Sequence, residues 1–544
     1  LQINGGITWT TSHDPTTLVI GLDKVTMNAS SSAMSFSPLT SWFTDTSIAT
    51  IDLSGDTNTT GTNVVDLSTM NTGTAMSVTG SSGADTITAG DGIDNLNGGA
   101  GTANNLFIVK ATADLVSSSA VQDTIVGGAG TGDVLQLNGG VTVAAADDWA
   151  AAGKGDVSLV EQITMDASTS ALSLTTHATF FSDTGIVTID LSGDTNAAGT
   201  NVVDLSASDF TTSTAVATTG STGNDTITLS SGIDTVIGGA STGVDTIIVA
   251  TSADLNVASS AVVDSITTGS GNDILQLNSG VTLNFSTNDP TNKLSGLTKV
   301  TAGAGASAIS LTVNDTWFTD TAIATFDFSG DTNATGTNVI NIAALTTTDA
   351  MAITGSTGVD TITVDVATVC TVNSSPAGDT IILGGGTAAD VVNYTSAAHG
   401  GDTITGFTVA SDLLKFPTGG AFGAAGGAIA LTDVNYNTSN AQTIADFTTA
   451  AGTDRAGYNV SLDQGGAGDY ALDASLVTAI DTAVAAGNAA TGPGWVCVDN
   501  GQDTALIYDP AFETDGGDGD AVLIAVLSGI AESADLTGGP IYIL

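Results

Sequence analysis

Glycine and aspartate recur at a fixed spacing in residues 80–101, and this pattern can bind a hard cation. Gly83 and Gly92 are nine residues apart, and Asp85 and Asp94 repeat that spacing. In such a nonapeptide, glycines allow a tight turn and a short strand follows, so that the carboxylate of one turn faces the next coil. Carboxylate and carbonyl oxygens are the ligands that Ca²⁺ prefers. The sequence therefore predicts that these four residues build calcium-binding turns.

Further copies of the motif occur along the chain. One pair of them keeps the nonapeptide spacing, whereas the copies nearest the carboxyl end are no longer consecutive. For an isolated Gly-x-Asp, the alternative interpretation is an Asp that accepts hydrogen bonds within its own turn and binds no metal. The further predicted calcium ligands are Asp133, Asp225, Asp234, Asp245, Asp273 and Asp360.

Three long repeats make up most of the chain. The sequence LQINGG at residues 1–6 returns as LQLNGG at 135–140 and as LQLNSG at 275–280. Inside each repeat an aromatic pair precedes a segment similar to IDLSGDT, and the order of the segments does not change. Self-similarity on this scale is typical of repeat proteins. We predict repeat domains at 1–134, 135–274 and 275–420, and a carboxyl-terminal domain at 421–544.

Short segments rich in Val, Ile and Thr alternate with turn residues throughout the repeats. Residues 64–67 and 227–229 show the period-two alternation of strands that bury one face. The closely spaced turns favour stacked coils over βαβ units. The predicted fold class is all-β, with stacked β-solenoid or β-roll repeats and calcium-binding turns. A small carboxyl-terminal β-rich domain should contain one short helix over 473–486.

The chain is strongly acidic. Seven Lys and Arg residues stand against 56 Asp and Glu residues, which gives a net charge of -49. Glu occurs only at Glu161, Glu513 and Glu532, and Asp suits tight turns and oxygen-ligand cation sites. An acidic surface adapted to salt is the alternative explanation. Because no basic stripe exists, nucleic acid is excluded as a partner, and no apolar run is long enough to predict membrane insertion.

The residue types that would indicate catalysis are scattered. The sequence contains no HExxH motif, and His13, His177 and His399 lie far apart in unrelated contexts. Neither a zinc cluster nor a Ser-His-Asp triad is therefore indicated. We predict that the protein is not an enzyme, and we interpret the histidines as surface or turn residues.

Two other features are interpreted as parts of the core. Cys370 aligns with Leu255 of the second repeat and would replace a buried apolar residue, while a disulfide with Cys497 stays open. The aromatic pairs are interpreted as core residues, with carbohydrate binding as the alternative. These pairs are Trp42 with Phe43, Phe180 with Phe181, and Trp317 with Phe318.

The calcium motifs and the carboxyl-terminal region resemble the repeats-in-toxin (RTX) proteins of Gram-negative bacteria. Residues 402–407 and 412–416 are similar to the DxIxGF and DxLxF segments that follow the calcium repeats in that family, and 503–544 resembles its secretion signal. The resemblance implies type I secretion, which agrees with the absence of a classical signal peptide at residues 1–6. The long Thr- and Asp-rich repeats look most like those of surface-layer proteins.

These observations lead to one main hypothesis and two alternatives. We expect a calcium-dependent structural protein, secreted to the cell surface, that self-assembles into a surface layer or a filament. Its expected partners are other copies of itself, calcium and cell-surface polysaccharide. The first alternative is a monomeric adhesin or biofilm-matrix protein that binds glycans or surfaces, and the second is a secreted hydrolase.

Overall fold

The structure is a computed structural model of the full chain. Up to residue 416 it describes all residues except 13–21, 31, 71–72, 74, 116–122, 148, 150–155, 169, 197–198, 212, 240–241, 256–263, 288–292, 334–335 and 397. Beyond residue 416 it describes 427–428, 432–434, 458–461, 472, 476–478, 494–499, 502–509, 521–530 and 541–543. His13 lies outside the described residues, as does most of the helix predicted over 473–486, of which 476–478 is helical.

The chain forms two compact units. Unit 1 comprises Leu1–Ile274 with Asn292–Leu297, and unit 2 comprises Leu275–Thr291 with Thr298–Leu544. Each unit is a β-solenoid, and the described coils number about 14 in all. The predicted all-β solenoid fold is thus confirmed.

In unit 1 the strands of successive coils pair in parallel and form three rows. Row A contains β1 (Gln2–Ile3), β3 (Val25–Met27), β5 (Thr50–Asp52), β7 (Ser77–Thr79), β9 (Asn95–Asn97), β11 (Thr124–Val126) and β14 (Val157–Ser158). Row B contains β2 (Thr8–Trp9), β4 (Ser35–Phe36), β6 (Asn63–Asp66), β8 (Asp85–Thr88), β10 (Leu106–Val109), β12 (Val134–Leu137), β15 (Gln162–Met165), β17 (Thr188–Asp190), β19 (Ala215–Thr219), β21 (Ile233–Ile237), β23 (Ser265–Thr267) and β26 (Leu294–Ser295). Row C contains β13 (Thr142–Val143), β16 (Ser173–Thr175), β18 (Thr200–Asp204), β20 (Asn224–Thr228) and β22 (Thr246–Val249).

In unit 2 the coils form two further rows. Row D contains β27 (Leu297–Ala302), β29 (Thr325–Asp327), β31 (Met351–Thr354), β33 (Cys370–Asn373), β35 (Val391–Asn393), β37 (Leu413–Phe416), β44 (Ile541–Ile543) and β38 (Gly427–Ala428). Row E contains β25 (Thr282–Asn284), β28 (Ser310–Asn314), β30 (Asn338–Ala344), β32 (Asp360–Thr363), β34 (Thr380–Ile382), β36 (Asp402–Thr405), β43 (Val522–Ser528), β42 (Asp503–Asp509), β41 (Gly494–Asp499), β40 (Tyr458–Ser461) and β39 (Thr432–Val434). The boundary between the two units falls within strand β24 (Asp273–Leu277), because Ile274 belongs to unit 1 and Leu275 to unit 2.

The length of a coil depends on whether it is built from nonapeptides. Ser77 pairs with Asn95 and Ala217 with Thr235, so each of these coils is 18 residues long, the length of two nonapeptides. A coil without the motif is longer, as in the pairing of Val134 with Gln162, a separation of 28 residues. Longer turns therefore interrupt the compact coils.

Inward-facing aliphatic side chains stack from coil to coil and make the core. In row A, Ile51, Val78, Leu96 and Ile125 lie directly opposite one another on successive strands and are at most 1% exposed. Burying one such side chain contributes about 1.5–3 kcal/mol. Because each residue contacts its counterpart on the next coil, stability accumulates along the stack.

Five short helices interrupt the coils of the described residues, and the sequence did not predict them. They are α1 (Thr40–Thr46), α2 (Thr112–Leu115), α3 (Phe180–Thr184), α4 (Ser252–Leu255) and α5 (Asp315–Thr321). Helices α1, α3 and α5 begin at or just before the three aromatic pairs. The first ring of each pair is about 1% exposed, as predicted for a core residue, whereas the second ring is half-buried.

The carboxyl-terminal strands continue unit 2 with a different topology. Strand β43 pairs in parallel with β36 of the last coil and antiparallel with β42, which in turn pairs antiparallel with β41. The coil geometry therefore gives way to antiparallel strands, in agreement with the predicted β-rich carboxyl-terminal region.

Candidate functional site

The nonapeptide carboxylate of Asp85 accepts hydrogen bonds from its own turn. Asp85 is 1% exposed, and Ser81 donates its backbone N–H to Oδ2 at 2.6 Å and its hydroxyl to both oxygens. Asn63 donates Nδ2–H to Oδ1 at 3.0 Å. Asp225 repeats the arrangement, with Ser221 N–H at 2.7 Å and Asn201 Nδ2–H at 3.1 Å. These carboxylates are surrounded by hydrogen-bond donors.

Three other predicted calcium ligands have the same local geometry. The backbone N–H four residues earlier donates to the carboxylate of Asp94 at 3.0 Å, of Asp234 at 2.8 Å and of Asp360 at 2.6 Å. The turns that hold these carboxylates are tightly stacked. A Cβ on Gly83 would lie 2.5 Å from the carbonyl oxygen of Asn58, while Gly92 lies in a bend before β9. Each of these Asp side chains therefore accepts a hydrogen bond from its own turn. This is the geometry expected under the alternative interpretation, in which the Asp holds the turn and binds no metal.

The same carboxylates also belong to polar ladders that cross from coil to coil. In the first ladder, Asp85 donates its backbone N–H to Oδ1 of Asn105 at 3.0 Å. Asn105 donates its N–H to Oδ1 of Asp133 at 2.6 Å, and Asp133 donates to Oε2 of Glu161 at 2.8 Å. Each rung thus satisfies a main-chain donor at the start of a strand with a side chain of the next coil.

A second ladder in unit 1 consists of aspartates, and Asn201 donates its Nδ2–H to the first of them, Asp225. Asp225 donates its N–H to Oδ1 of Asp245 at 2.9 Å, and Asp245 donates to Oδ1 of Asp273 at the same distance. Unit 2 contains a matching ladder, in which Asp360 donates to Asp379 at 2.9 Å. All the predicted ligands therefore lie in ladders or next to them, but several ladder residues were not predicted.

Shorter ladders lie at a different strand row of the same coils. Asp94 donates its N–H to Oδ1 of Asp123 at 2.7 Å, and Asp234 donates to Oδ1 of Asp264 at 2.8 Å. Cys370 occupies the equivalent position in unit 2, where its N–H lies 2.8 Å from Oδ1 of Asp390.

The position of Cys370 corrects the alignment with Leu255. Leu255 ends helix α4, whereas Cys370 begins β33 and pairs with Met351. Cys370 is fully buried, as predicted, and burial raises the pKa of its thiol. It stands in place of a ladder aspartate, and it is not bridged to Cys497, which is also buried.

Burial raises the pKa of many ladder carboxyl groups. For Asp123 and Asp264, burial and the nearby carboxylates raise the pKa to about 8. Burial raises the pKa of Asp245 to about 7, and it raises the pKa of Asp85 in spite of the hydrogen bonds that oppose the shift. Removing a carboxylate from water disfavours its charged form, and a second carboxylate close by adds repulsion. Ionisation of these carboxyl groups at neutral pH is therefore expected to destabilise the folded coils.

Some ladder carboxylates keep one oxygen without a hydrogen-bond partner. Oδ2 of Asp123, of Asp133 and of Asp264 is buried and accepts no hydrogen bond, although Oδ1 of each accepts a main-chain N–H. These oxygens could bind a cation together with backbone carbonyls. No group of three or more His, Cys, Asp or Glu side chains in the described residues is arranged to hold a metal ion. A cation bound among the described residues would therefore have few carboxylate ligands and would depend on backbone carbonyl oxygens.

The two described histidines lie in different units, and each makes its own local contacts. His177 is 5% exposed, so it is a core residue and not the surface or turn residue that was predicted. Its Nε2 lies 3.1 Å from Oδ2 of Asp183, and its ring contacts Phe180. His399 lies in a turn, where its Nδ1 is 2.9 Å from the carbonyl oxygen of Ser374.

The chain matches no protein-family model and no curated protein sequence. Among the described helices, none has both the length and the apolar character needed to span a membrane.

Proposed function

We propose that this protein is a calcium-dependent structural component of an extracellular, self-assembling layer or filament. The observation that carries the proposal is the ladder from Asp85 through Asn105 and Asp133 to Glu161, in which the carboxylate or amide of one coil completes the hydrogen bonding of the coil before it. A protein built in this way extends by adding similar coils, so its architecture suits a scaffold. Self-association and the RTX-like route of secretion to a Gram-negative cell surface are parts of the same proposal.

Calcium would supply the positive charge that the ladders lack. The chain has a net charge of -49, and burial raises the pKa of the carboxyl groups of Asp123 and Asp264. A bound divalent cation neutralises such carboxylates without protonating them. Asp123, Asp133 and Asp264 would hold the ion through the oxygens that accept no hydrogen bond, together with main-chain carbonyls. The nonapeptide carboxylates Asp85 and Asp94 would act mainly by holding the turns.

Electron microscopy tests assembly directly. Full-length protein dialysed against a chelator should appear as separate particles, and dialysis into calcium should produce sheets or filaments with a regular repeat. Magnesium at the same ionic strength is the control, because Mg²⁺ requires a stricter octahedral geometry and gives up its water reluctantly. Separate particles in both calcium and magnesium would contradict the proposal.

A glycan-binding adhesin is the second candidate, and one surface feature favours it. A groove beside helix α5 combines the half-buried ring of Phe318 with carboxylates and hydroxyls. This combination is suited to recognition of a sugar.

A further inference from the structure

The groove beside α5 lies entirely within unit 2 and has a volume of about 530 Å³. One wall is helix α5 with the residues that follow it, and the other is the segment after β30. This volume falls within the range of small-molecule sites, about 300–1,000 Å³. Its lining includes Asp315, Phe318, Thr319, Thr346, Thr347 and Asp349.

Phe318 faces the groove because its neighbour fills the core. Trp317 is 1% exposed and stacks on Phe285 with ring centroids 5.8 Å apart. Adjacent residues of a helix point in different directions, so Phe318 is left half-buried at the surface. An aromatic face at the bottom of a groove can stack against the apolar face of a sugar ring.

The two walls are tied together by Asp315. Its carboxylate accepts the backbone N–H of Thr346 at Oδ1 and the hydroxyl of Thr346 at Oδ2, the latter at 2.7 Å. Asp349 is held in a similar way, since its Oδ2 accepts the hydroxyl of Thr347 at 3.1 Å. Each carboxylate oxygen retains a further lone pair, and because the hydroxyls of Thr346 and Thr347 donate to these carboxylates, their own oxygens are left as acceptors. The two carboxylates that line the groove with Phe318 are therefore held in place by hydrogen bonds.

We infer that this groove binds one or two residues of a neutral glycan, with Phe318 stacking on a sugar ring and the carboxylates of Asp315 and Asp349 accepting its hydroxyl groups. Sugar hydroxyl groups donate to carboxylate acceptors, and the aromatic ring beside those acceptors favours a sugar over a metal ion, which would gain nothing from the ring. A net charge of -49 disfavours acidic sugars, so the ligand is a neutral one. The inference extends the adhesin alternative and depends neither on calcium nor on assembly.

The second repeat contains a matched position where the same ring is covered. Phe181 follows the buried Phe180 as Phe318 follows Trp317. The ring of Phe181, however, packs against Phe210 at a centroid distance of 5.5 Å. Asp209 accepts the backbone N–H of Phe181 at 2.7 Å and brings this segment against the helix. Phe181 is thus a control residue with a similar local sequence, FFSDT against WFTDT, whose ring packs against a second aromatic side chain.

Saturation-transfer NMR of the full-length protein with neutral methyl glycosides tests the inference. Glucosides, galactosides, mannosides and N-acetylglucosaminides serve as probes at millimolar concentration in the presence of a chelator. We expect saturation of at least one glycoside, with the strongest transfer to the protons of one ring face. Phe318→Ala should weaken binding at least tenfold, whereas Phe181→Ala should leave it unchanged. Asp349→Asn should also weaken it, because a carboxylate acceptor is replaced by an amide.

Two results would overturn the inference. One is the absence of transfer to every neutral glycoside by a wild-type protein whose circular dichroism shows it to be folded. The other is equal loss of binding in Phe318→Ala and Phe181→Ala, which would place the sugar elsewhere. Because the chelator removes calcium and light scattering monitors assembly in the same samples, failure here is distinguishable from failure of the assembly proposal.

Discussion

The backbone N–H of Asp94 donates to Oδ1 of Asp123 at 2.7 Å, and burial raises the pKa of Asp123 to about 8. The pair recurs in the second repeat as Asp234 and Asp264 at 2.8 Å, again with a pKa of about 8 for the second carboxyl group. A buried carboxyl group with a raised pKa thus accepts a main-chain hydrogen bond at equivalent places in two repeats. Without a cation, stability of these coils should depend on pH.

In the presence of a chelator, the protein should be more stable at pH 5 than at pH 9. The pKa of Asp123 and of Asp264 is about 8 in the folded chain, well above the 3.8 of an Asp side chain exposed to water. Because the folded pKa is raised, the stabilisation is fully present below pH 4 and is lost as pH rises toward 8. Thermal unfolding followed by circular dichroism should show a lower Tm at each step from pH 5 to pH 9. A Tm that rises over this interval would contradict the assignment.

Asp123→Asn should separate the effects of protons and calcium. Asn keeps an Oδ1 acceptor for the N–H of Asp94 but carries no charge. In chelator at pH 8 we expect the free energy of unfolding to increase by about 1–2 kcal/mol, because a buried charge is removed. In calcium the variant should gain less stability than the wild type, since a ligand oxygen is lost. Urea denaturation with and without calcium measures both effects.

Asp85 should contribute more to stability than a half-buried aspartate with similar local hydrogen bonds. Asp85→Ala leaves buried donors on Ser81 and Asn63 without acceptors, at a cost of about 2–4 kcal/mol. Asp52 is half-buried and accepts the N–H and hydroxyl of Ser54, so Asp52→Ala should cost less than about 1 kcal/mol. The two variants are compared by urea denaturation in chelator. Equal losses would show that burial of the turn does not matter.

The residue after each aromatic helix has a left-handed conformation, and only one repeat uses glycine there. Ser47 has a φ of 61°, and Gly185, at the same position of the second repeat, has a φ of 83°. Glycine adopts this region without the steric cost of a Cβ. Ser47→Gly should therefore stabilise the protein by about 0.5–1 kcal/mol, and Gly185→Ala should destabilise it by about 1 kcal/mol. Thermal unfolding of both variants checks the opposite signs.

The repeats and their strands were predictable because their signals are local. Alternation at 64–67 predicts a strand, and the described β6 covers Asn63–Asp66. Glycines nine residues apart predict a compact coil, and Ser77 pairs with Asn95 two nonapeptides later. Both signals depend on the backbone geometry of a few neighbouring residues, which the sequence states directly.

The ladders were only partly predictable because their rungs are distant in sequence. Asn105 and Glu161 belong to no nonapeptide, yet they continue the ladder that begins with Asp85. Coils of 18 and 28 residues follow one another, so a rung has no fixed spacing from the next. The weak signal that remains is a polar residue immediately before a strand. The same variation in coil length led to the wrong alignment of Cys370 with Leu255.

The short helices were missed for a related reason. Residues of α5 contain no long apolar period, and the helix is stabilised mainly by burial of Trp317 and by Asn314, whose side chain accepts the N–H of Trp317 at 2.9 Å. A helix of seven residues depends on such tertiary contacts more than on its own propensity.

Light scattering during a calcium titration tests the central claim most directly. Protein freed of divalent ions by a chelator is titrated with calcium to millimolar concentration, and the chelator is then added back. The account predicts a cooperative rise in scattering that the chelator reverses, because calcium neutralises the buried carboxylates and permits assembly. An unchanged scattering intensity, in protein that binds calcium and remains folded, would contradict a calcium-dependent assembling scaffold.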